Sequence, residues 1–157
     1  MSQLGFTIRP ATLNDVDTLT RFAVEMAMET EGHKIEAESV KIATLAALND
    51  SGKAIFFVAE VGSRVVGSLM VTYEWSDWEN GDYWWIQSVY VSPPSRRQGI
   101  YRGLYNHVVA EAKRQGDVVG VKLYVYKDNL KAQKTYETLG MKRAPHYIYE
   151  IMLTEQE

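Results

Sequence analysis

Trp84–Tyr105, with the sequence WWIQSVYVSPPSRRQGIYRGLY, predicts three elements in succession, and the rest of the chain is arranged around them. Trp85 to Val91 is rich in β-branched and aromatic residues and predicts a strand. Pro93 and Pro94 end this strand, because proline cannot donate to a ladder and restricts the residue before it. The segment from Gly99 to Gln115 predicts a helix, because apolar residues recur at four-residue spacing on one face: Ile100, Leu104, Val108 and Ala112.

The turn between this strand and helix has a composition suited to binding an anion. Arg96, Arg97 and Arg102 crowd it together with Gly99 and Gly103, and no acidic residue lies among them. The first amides of a helix lack internal partners, and glycine lets the backbone approach a phosphate closely. An ordinary strand-to-helix turn with solvated arginines is the alternative, and the residue pattern alone leaves both open.

The same turn resembles the central motif of the GNAT superfamily, the acyl-CoA-dependent N-acyltransferases. That motif is Arg/Gln-x-x-Gly-x-Gly/Ala, and the sequence has Arg96-x-x-Gly99-x-Tyr101, with tyrosine at the last position. The resemblance implies that the loop amides from about Gln98 to Gly103 bind the pyrophosphate of CoA. The implied cofactor-binding residues of this loop are Arg96, Arg97, Gln98, Gly99, Ile100, Tyr101, Arg102 and Gly103.

A second segment, Asn129-x-x-Ala132-x-x-x-Tyr136-x-x-x-Gly140-Met141, resembles the other cofactor-binding segment of the family. Asn129 is placed to cap a helix, and the resemblance also puts it beside the pantetheine arm; Asn129, Ala132 and Tyr136 are the implied cofactor-binding residues of this segment. For Tyr136 the resemblance implies the general acid that protonates the leaving thiolate, a role that a phenol can fill. A tyrosine that merely packs under a sheet is the alternative.

The central strand and the first helix supply the remaining candidates for the reaction. By resemblance, a backbone amide among Val89, Tyr90 and Val91 would stabilise the oxyanion. Gln87 stands where several diamine-acetylating relatives carry a glutamate, and it could orient a substrate or a water. Glu25 and Glu29 lie one helical turn apart and could form an acidic mouth for a cationic amine, or they could be solvated surface charges.

Aromatic residues are concentrated between Tyr73 and Tyr90, a range that holds all four tryptophans. They could form a cage for an amine through cation–π contacts, or they could serve core packing or a dimer interface. Packing is the favoured interpretation for Trp85 and Tyr90, and both remain open for Trp75, Trp78 and Trp84.

Composition bounds the classes of function. The 157 residues predict one domain, 1–157, with a net charge of −3 that gives no indication of nucleic-acid binding. No cysteine is present, so an acyl group cannot pass through a cysteine nucleophile. The three histidines are scattered, and we expect no metal site. No signal peptide or membrane span is expected, which favours a cytoplasmic protein.

The predicted element order is β-α-α-β-β-β-α-β-α-β, an α/β (α+β) arrangement. It indicates a mixed, mostly antiparallel central sheet with helices on both faces, similar to the GNAT fold. The predicted elements are strands at 6–9, 54–61, 65–75, 85–91 and 119–126, helices at 14–30, 36–48, 99–115 and 130–139, and one or two closing strands within 141–153.

The resulting expectation is an N-acetyltransferase that moves an acetyl group from acetyl-CoA directly to a primary amine, most simply that of a small molecule. A peptide or protein amine is the alternative acceptor. The rival from another class is a catalytically silent CoA-binding sensor or regulatory module, favoured by Gln87 and Tyr101 and opposed by Tyr136. Family resemblance and aromatic content are compatible with a homodimer.

Overall fold

The computed structural model describes residues 5–155, and its elements follow the predicted order up to the last helix. The strands are β1 (Thr7–Pro10), β2 (Ile55–Val61), β3 (Arg64–Ser76), β4 (Gly81–Val91) and β5 (Val118–Leu123). The helices are α1 (Val16–Glu31), α2 (Ala37–Leu48), α3 (Ile100–Gln115) and α4 (Leu130–Thr138), with short 3-10 turns at Leu13–Asp15 and Pro93–Ser95.

The strands form one five-stranded sheet in the order β1-β2-β3-β4-β5. Neighbours are antiparallel from β1 to β4, whereas β4 and β5 run parallel and are joined through α3. A parallel pair needs such a crossover, because its second strand must begin at the same end of the sheet as the first. The expected mixed, mostly antiparallel sheet is therefore confirmed.

Helices cover both faces of the sheet, as the sequence predicted. Phe56 and Phe57 are consecutive in β2, so their side chains point to opposite faces. Phe56 shares a cavity wall with residues of α1 and α2, whereas the ring of Phe57 lies 5.1 Å from that of His107 in α3. The core contains Leu69, Val71 and Leu104, none of which has any exposed surface.

The closing strands predicted within 141–153 are wrong for the residues that the structure describes. No strand follows β5 before residue 156, and Tyr147, Tyr149 and Ile151 are all exposed. Their alternation identifies side chains that could share one face, but a strand also requires a partner ladder, and Pro145 lacks the amide to form one. The described chain falls into two compact units, divided between Tyr124 and Val125.

Candidate active site on the central strand

A bulge interrupts β4 in its second half. Ser68 pairs with Tyr90 and Met70 pairs with Gln87, so Ser88 and Val89 together face the single residue Leu69. Ser88 has a φ of 52°, in the left-handed region that a residue with a side chain rarely adopts. Bulges redirect the backbone locally and are enriched beside active sites. The strained residue therefore marks the segment where the resemblance implies an oxyanion donor.

Beyond the first half of β4, its pairing with β5 ends. The last pair is Ile86 with Leu123, yet β4 continues for five residues to Val91. Over 87–91 the described sheet pairs β4 with β3 only. One edge of this backbone therefore has no strand partner among residues 5–155, and an unpaired strand edge is where an extended chain with amide groups can add. Val89, Tyr90 and Val91 all lie in this one-sided segment.

The anion loop, residues 96–103, has the backbone geometry of a tight turn that opens a helix. Arg97 and Gly99 both have left-handed φ angles, 63° and 81°, and Gly99 is the N-cap of α3. The amide of Gly103 donates to the carbonyl of Gly99 at 2.9 Å and closes the first turn. By helix geometry, the amides of Ile100, Tyr101 and Arg102 have no acceptor within α3. They are the amides best suited to an anion, and the helix dipole adds positive potential there.

Two residues assigned to the anion loop have packing roles in the structure. Gly103 lies so close to Phe6 that a Cβ at this position would stand 2.6 Å from the ring. Its amide is also used inside the helix, so Gly103 is required by packing. The side chain of Ile100 is buried, with 2% of its surface exposed, which leaves only its backbone to face a ligand.

Most side chains of the anion loop are exposed, whereas that of Tyr101 is half-buried. Arg97, Gln98 and Arg102 are exposed, and Gln98 Nε2 donates to the carbonyl of Pro94 at 3.1 Å. Tyr101 is half-buried, with its ring 6.5 Å from that of Tyr105. Arg96 differs from the other side chains of the loop, because its guanidinium is bonded to Val91 and Glu29.

Arg96 belongs to a cluster that links the anion loop to α1. Its Nε donates to the carbonyl of Val91 at 2.8 Å, and its Nη2 donates to Glu29 at 2.7 Å. The guanidinium also lies over the ring of Tyr90, 5.5 Å from its centroid. Arg96 therefore ties the end of β4 to α1, and its side chain is already engaged by a carboxylate.

Tyr90 lies at the centre of this cluster. It is 4% exposed, and its hydroxyl donates to Glu25 at 2.7 Å and to Glu29 at 3.3 Å. Burial, and then the hydrogen bond to the Glu25 carboxylate, raise the pKa of Tyr90 well above its usual range. Its phenol consequently stays protonated at any working pH and acts as a fixed donor.

Each of the two carboxylates has a partner within the protein, and their role as an acidic mouth for an amine stays a prediction. Glu29 pairs with Arg96 at 2.7 Å, and Glu25 has Arg21 at 3.4 Å as an i,i+4 neighbour. Glu25 has the longer ion pair, and its other oxygen accepts from Tyr90 at 2.7 Å. Gln87 lies elsewhere on β4 and donates from Nε2 to the Thr72 hydroxyl at 2.6 Å, a contact that orients its amide.

The second cofactor-binding segment lies in the unit that begins at Val125. The Asn129 side chain accepts from the amide of Ala132 at 3.1 Å, so its predicted role as the cap of α4 is confirmed. Tyr136 is half-buried in the last turns of α4, and its carbonyl accepts from Leu139 and Met141. The roles of these residues toward CoA stay predictions.

The aromatic residues of β3 and β4 have separate environments. Trp84 is buried and packs edge-on against Tyr73, whereas Trp75 and Trp78 are 63% and 92% exposed. Trp85 stacks on Tyr124 with 4.4 Å between ring centroids. Lys122 lies 3.7 Å from the ring centroid of Tyr83 and 5.5 Å from that of Trp85. The cation that lies against Tyr83 and Trp85 is therefore Lys122 of the same chain.

Two residues of the site carry no recognisable signal in the sequence. Ser88 carries the bulge, but serine gives no sign of a left-handed backbone in the way that glycine does. Thr72 orients Gln87 from the neighbouring strand, a pairing that depends on register.

Among residues 5–155 there is no group of three or more His, Asp or Glu side chains able to hold a metal ion. No helix in that range has the length and hydropathy needed to cross a membrane.

Comparison with solved structures connects this geometry to acetyltransferases. The chain superposes on a possible acetyltransferase from Clostridium difficile 630 with a TM-score of 0.91 and 39% identity, covering 96% of this chain and 99% of the other. A predicted acetyltransferase with acetyl-CoA from Clostridium acetobutylicum shares the fold, with a TM-score of 0.77, 18% identity and coverage of 94% and 97%.

Comparison of sequences gives the same class. Thialysine N-epsilon-acetyltransferase of Caenorhabditis elegans is 27% identical over 136 residues, which cover 86% of this chain and 82% of that protein. The family model described as "Acetyltransferase (GNAT) family" matches residues 19–141. The chain therefore belongs to the GNAT acetyltransferase family, as the motifs at Arg96–Tyr101 and Asn129–Met141 predicted.

Proposed function

We propose that the protein is an N-acetyltransferase that moves an acetyl group from acetyl-CoA directly to a primary amine of a small molecule. The observation that carries the proposal is the backbone of β4 over 87–91, which is bulged, pairs with β3 alone, and leads into the anion loop. An acyl donor with a diphosphate and two amide groups has the chemistry to match both features.

Each part of the donor corresponds to a group of this chain. The amides of Ile100, Tyr101 and Arg102, with the exposed guanidinium groups of Arg97 and Arg102, are suited to the diphosphate. The open edge of 87–91 is suited to the amides of the pantetheine arm. A β4 amide near the bulge would donate to the carbonyl oxygen as negative charge develops on it.

The transfer itself requires two proton movements. The attacking amine must lose a proton, and Glu25 is the better candidate acceptor, because Glu29 is held by Arg96 at 2.7 Å whereas Arg21 stands 3.4 Å from Glu25. Tyr90, which donates to Glu25, would position this carboxylate, and Gln87 would orient the acceptor or a water. The thiolate that leaves must be protonated or receive a hydrogen bond, and Tyr136 is the acid implied by the family motif. The carbonyl carbon gains the bond to nitrogen and loses the bond to sulfur.

Related proteins indicate one acceptor to include among those tested. The 27% identical relative from Caenorhabditis elegans acts, by its name, on the ε-amine of thialysine, which is a small primary amine. This supports a small molecule over a protein acceptor. A single domain spanning 1–157, a cytoplasmic location and a homodimer remain predictions.

The test is release of CoA thiol from acetyl-CoA in the presence of polyamines, amino acids including thialysine, aminoglycosides, alkylamines and short peptides. We expect Tyr136→Phe to lower kcat by about 10²–10⁴-fold, the range typical of a lost general acid, with little change in acetyl-CoA affinity. Tyr147→Phe removes a hydroxyl at a position that is 92% exposed and serves as the matched control.

Full activity of Tyr136→Phe would remove its role as the acid. Tight binding of acetyl-CoA without transfer to any acceptor would instead favour the silent CoA-binding module. Transfer to peptides alone would replace the small-molecule acceptor with a peptide or protein.

A further inference from the structure

A cavity of ≈210 Å³ lies between α1, α2 and the sheet. Its walls are mostly apolar, and the only hydroxyl side chains among them are those of a threonine and two serines. The lining residues from the helices are Leu19, Phe22, Ala23, Met26, Val40, Ala43, Thr44 and Ala47, and those from the sheet are Phe56, Ser68, Met70 and Ser88.

The cavity is accessible from solvent and offers little to a polar occupant. Met26, Val40, Phe56 and Met70 line it and are half-buried, so apolar surface at this site remains in contact with water. The hydroxyl of Thr44 already donates to the carbonyl of Val40 at 2.8 Å. An apolar group that enters would release water from these walls, whereas a charged group would lose its hydration without a partner.

The cavity reaches the segment of β4 where acetyl transfer is proposed. Ser88, the strained residue of the bulge, forms part of its wall. Phe22 forms another part, and its ring lies 4.9 Å from that of Tyr90, which donates to Glu25 and Glu29. A molecule with its body in the cavity would thus contact the bulge directly, and Phe22 separates it from Tyr90 and the two carboxylates.

The charges near the cavity favour an acceptor with one amine. Glu29 pairs with Arg96 at 2.7 Å, so its negative charge is already compensated and attracts a second ammonium group less strongly. Glu25 has the longer ion pair, 3.4 Å to Arg21, so its charge is less compensated and it is better suited to receive an amine; its other oxygen accepts from Tyr90 at 2.7 Å. The far ammonium of a diamine whose chain lay in the cavity would face the apolar walls, which is costly for an unpaired charge.

We propose that the acceptor is a monoamine with an apolar body, an aliphatic or phenylalkyl amine, whose body occupies this cavity. The inference rests on the proposed function and specifies its substrate class. An apolar cavity of about 150 Å³ holds benzene, so ≈210 Å³ has room for a phenyl ring with a short alkyl linker.

The first experiment measures kcat/KM for acetyl transfer to n-alkylamines from propyl to heptyl, to 3-phenylpropylamine, and to the α,ω-diamines of equal length. We expect kcat/KM to rise about fourfold for each added methylene until the cavity is full, which corresponds to the transfer of one methylene from water. The diamines should show no such rise. Equal rates for diamines and monoamines would overturn the proposal.

Two alanines of α2 provide a matched pair of variants. Ala43 and Ala46 are both exposed, but only Ala43 lines the cavity. Ala43→Phe should lower kcat/KM for 3-phenylpropylamine by about tenfold or more, the scale on which apolar pockets discriminate, and should affect propylamine much less. Ala46→Phe should match the wild type. Equal effects of the two variants, or an equal loss for propylamine, would contradict the assignment.

A binding measurement separates this inference from the proposed function. Calorimetric titration of 3-phenylpropylamine into the protein with CoA present should show binding in the wild type and Ala46→Phe, and weaker binding in Ala43→Phe. That pattern supports the cavity assignment even if no acetyl group is transferred. Transfer to thialysine or to diamines that is insensitive to Ala43→Phe would leave the proposed function standing and overturn the apolar acceptor.

Discussion

The two halves of β4 have the same backbone direction but opposite environments. From Asp82 to Ile86 the strand pairs with both β3 and β5, and Trp84 and Ile86 are buried. From Gln87 to Val91 it pairs with β3 alone, carries the bulge, and ends in the Tyr90 cluster. The first half is paired on both edges, and the second half, paired on one edge, is the part that we propose faces the acyl donor.

This difference follows from where each half can satisfy its polar groups. A doubly paired strand uses both of its backbone edges and suits large apolar side chains. A half with one free edge retains amides and carbonyls for another chain, and the bulge alters their direction. The transition takes place within two residues, because β5 ends at Leu123, opposite Ile86.

The largest effect on stability is expected in the first half. Ile86→Ala should lower the free energy of unfolding by about 2–5 kcal/mol, because a buried isoleucine leaves a cavity when truncated. The affinity of the remaining folded protein for acetyl-CoA should be unchanged. Urea denaturation and calorimetric titration measure the two quantities. A loss of affinity that exceeds the unfolded fraction would mean that the two halves are not separable.

A smaller effect is expected at Tyr90, in the second half. Tyr90→Phe removes the donor to Glu25 and Glu29 and should lower the free energy of unfolding by about 1–2 kcal/mol. This is at the low end for a hydrogen bond to a charged group, because both carboxylates are partly exposed to solvent. Transfer to the acceptor should also slow, because Glu25 loses its positioning contact. Denaturation curves and amine-dependent rates together measure this change.

Tyr90→Phe should also change how the free energy of unfolding depends on pH. The pKa of Tyr90 is raised above its ordinary value of 10.0 by burial and by the hydrogen bond to Glu25, so above pH 10 the folded protein retains a proton that the unfolded chain releases. This contribution to stability is complete below pH 10 and declines as the pH rises above that value. The wild type should therefore lose more stability between pH 9 and 11 than Tyr90→Phe. Parallel curves would contradict the coupling.

The smallest effect on stability is expected at Gln87, where the second half begins. Gln87→Ala removes one half-buried hydrogen bond to Thr72 and should cost about 1 kcal/mol or less. If Gln87 orients the acceptor or a water, KM for the amine should rise while acetyl-CoA affinity stays constant. Steady-state kinetics with each substrate varied in turn makes this distinction. An unchanged KM would reduce Gln87 to a strand contact.

Much of this architecture follows from local patterns in the sequence. The helical spacing from Ile100 to Ala112 predicted α3 within one residue of its bounds, and Asn129 predicted the cap of α4. β4 begins at Gly81, earlier than expected, because Gly81 and Asp82 have turn-like composition but find partners in β3 and β5. The prediction of closing strands within 141–153 was wrong for the converse reason, since alternating side chains do not form a strand without a hydrogen-bonded partner strand.

The candidate site could be predicted only where its chemistry depends on local sequence. The left-handed turn at Gly99 is visible because glycine is the residue that adopts it readily. The bulge at Ser88 is not, since its conformation is imposed by the register between β3 and β4. Tyr90 and Glu25 are 65 positions apart, so their contact depends on the packing of α1 against the sheet. The spacing of residues along the chain cannot predict such a contact.

The central claim is that the donor binds at the beginning of α3, and two glycines of that helix test it directly. Gly99 and Gly116 cap its opposite ends with φ angles of 81° and 83°, and neither has an atom within 4 Å of an added Cβ. Valine at either position should strain the backbone similarly, by about 1–3 kcal/mol.

The decisive measurement is calorimetric titration of acetyl-CoA into Gly99→Val and Gly116→Val beside the wild type. We predict that Gly99→Val weakens binding by about tenfold or more, since the loss of a few kcal/mol in loop geometry and amide contacts acts directly on the anion. Gly116→Val should bind as the wild type does. Equal affinity for all three proteins, or equal losses in both variants, would contradict the assignment of the anion loop.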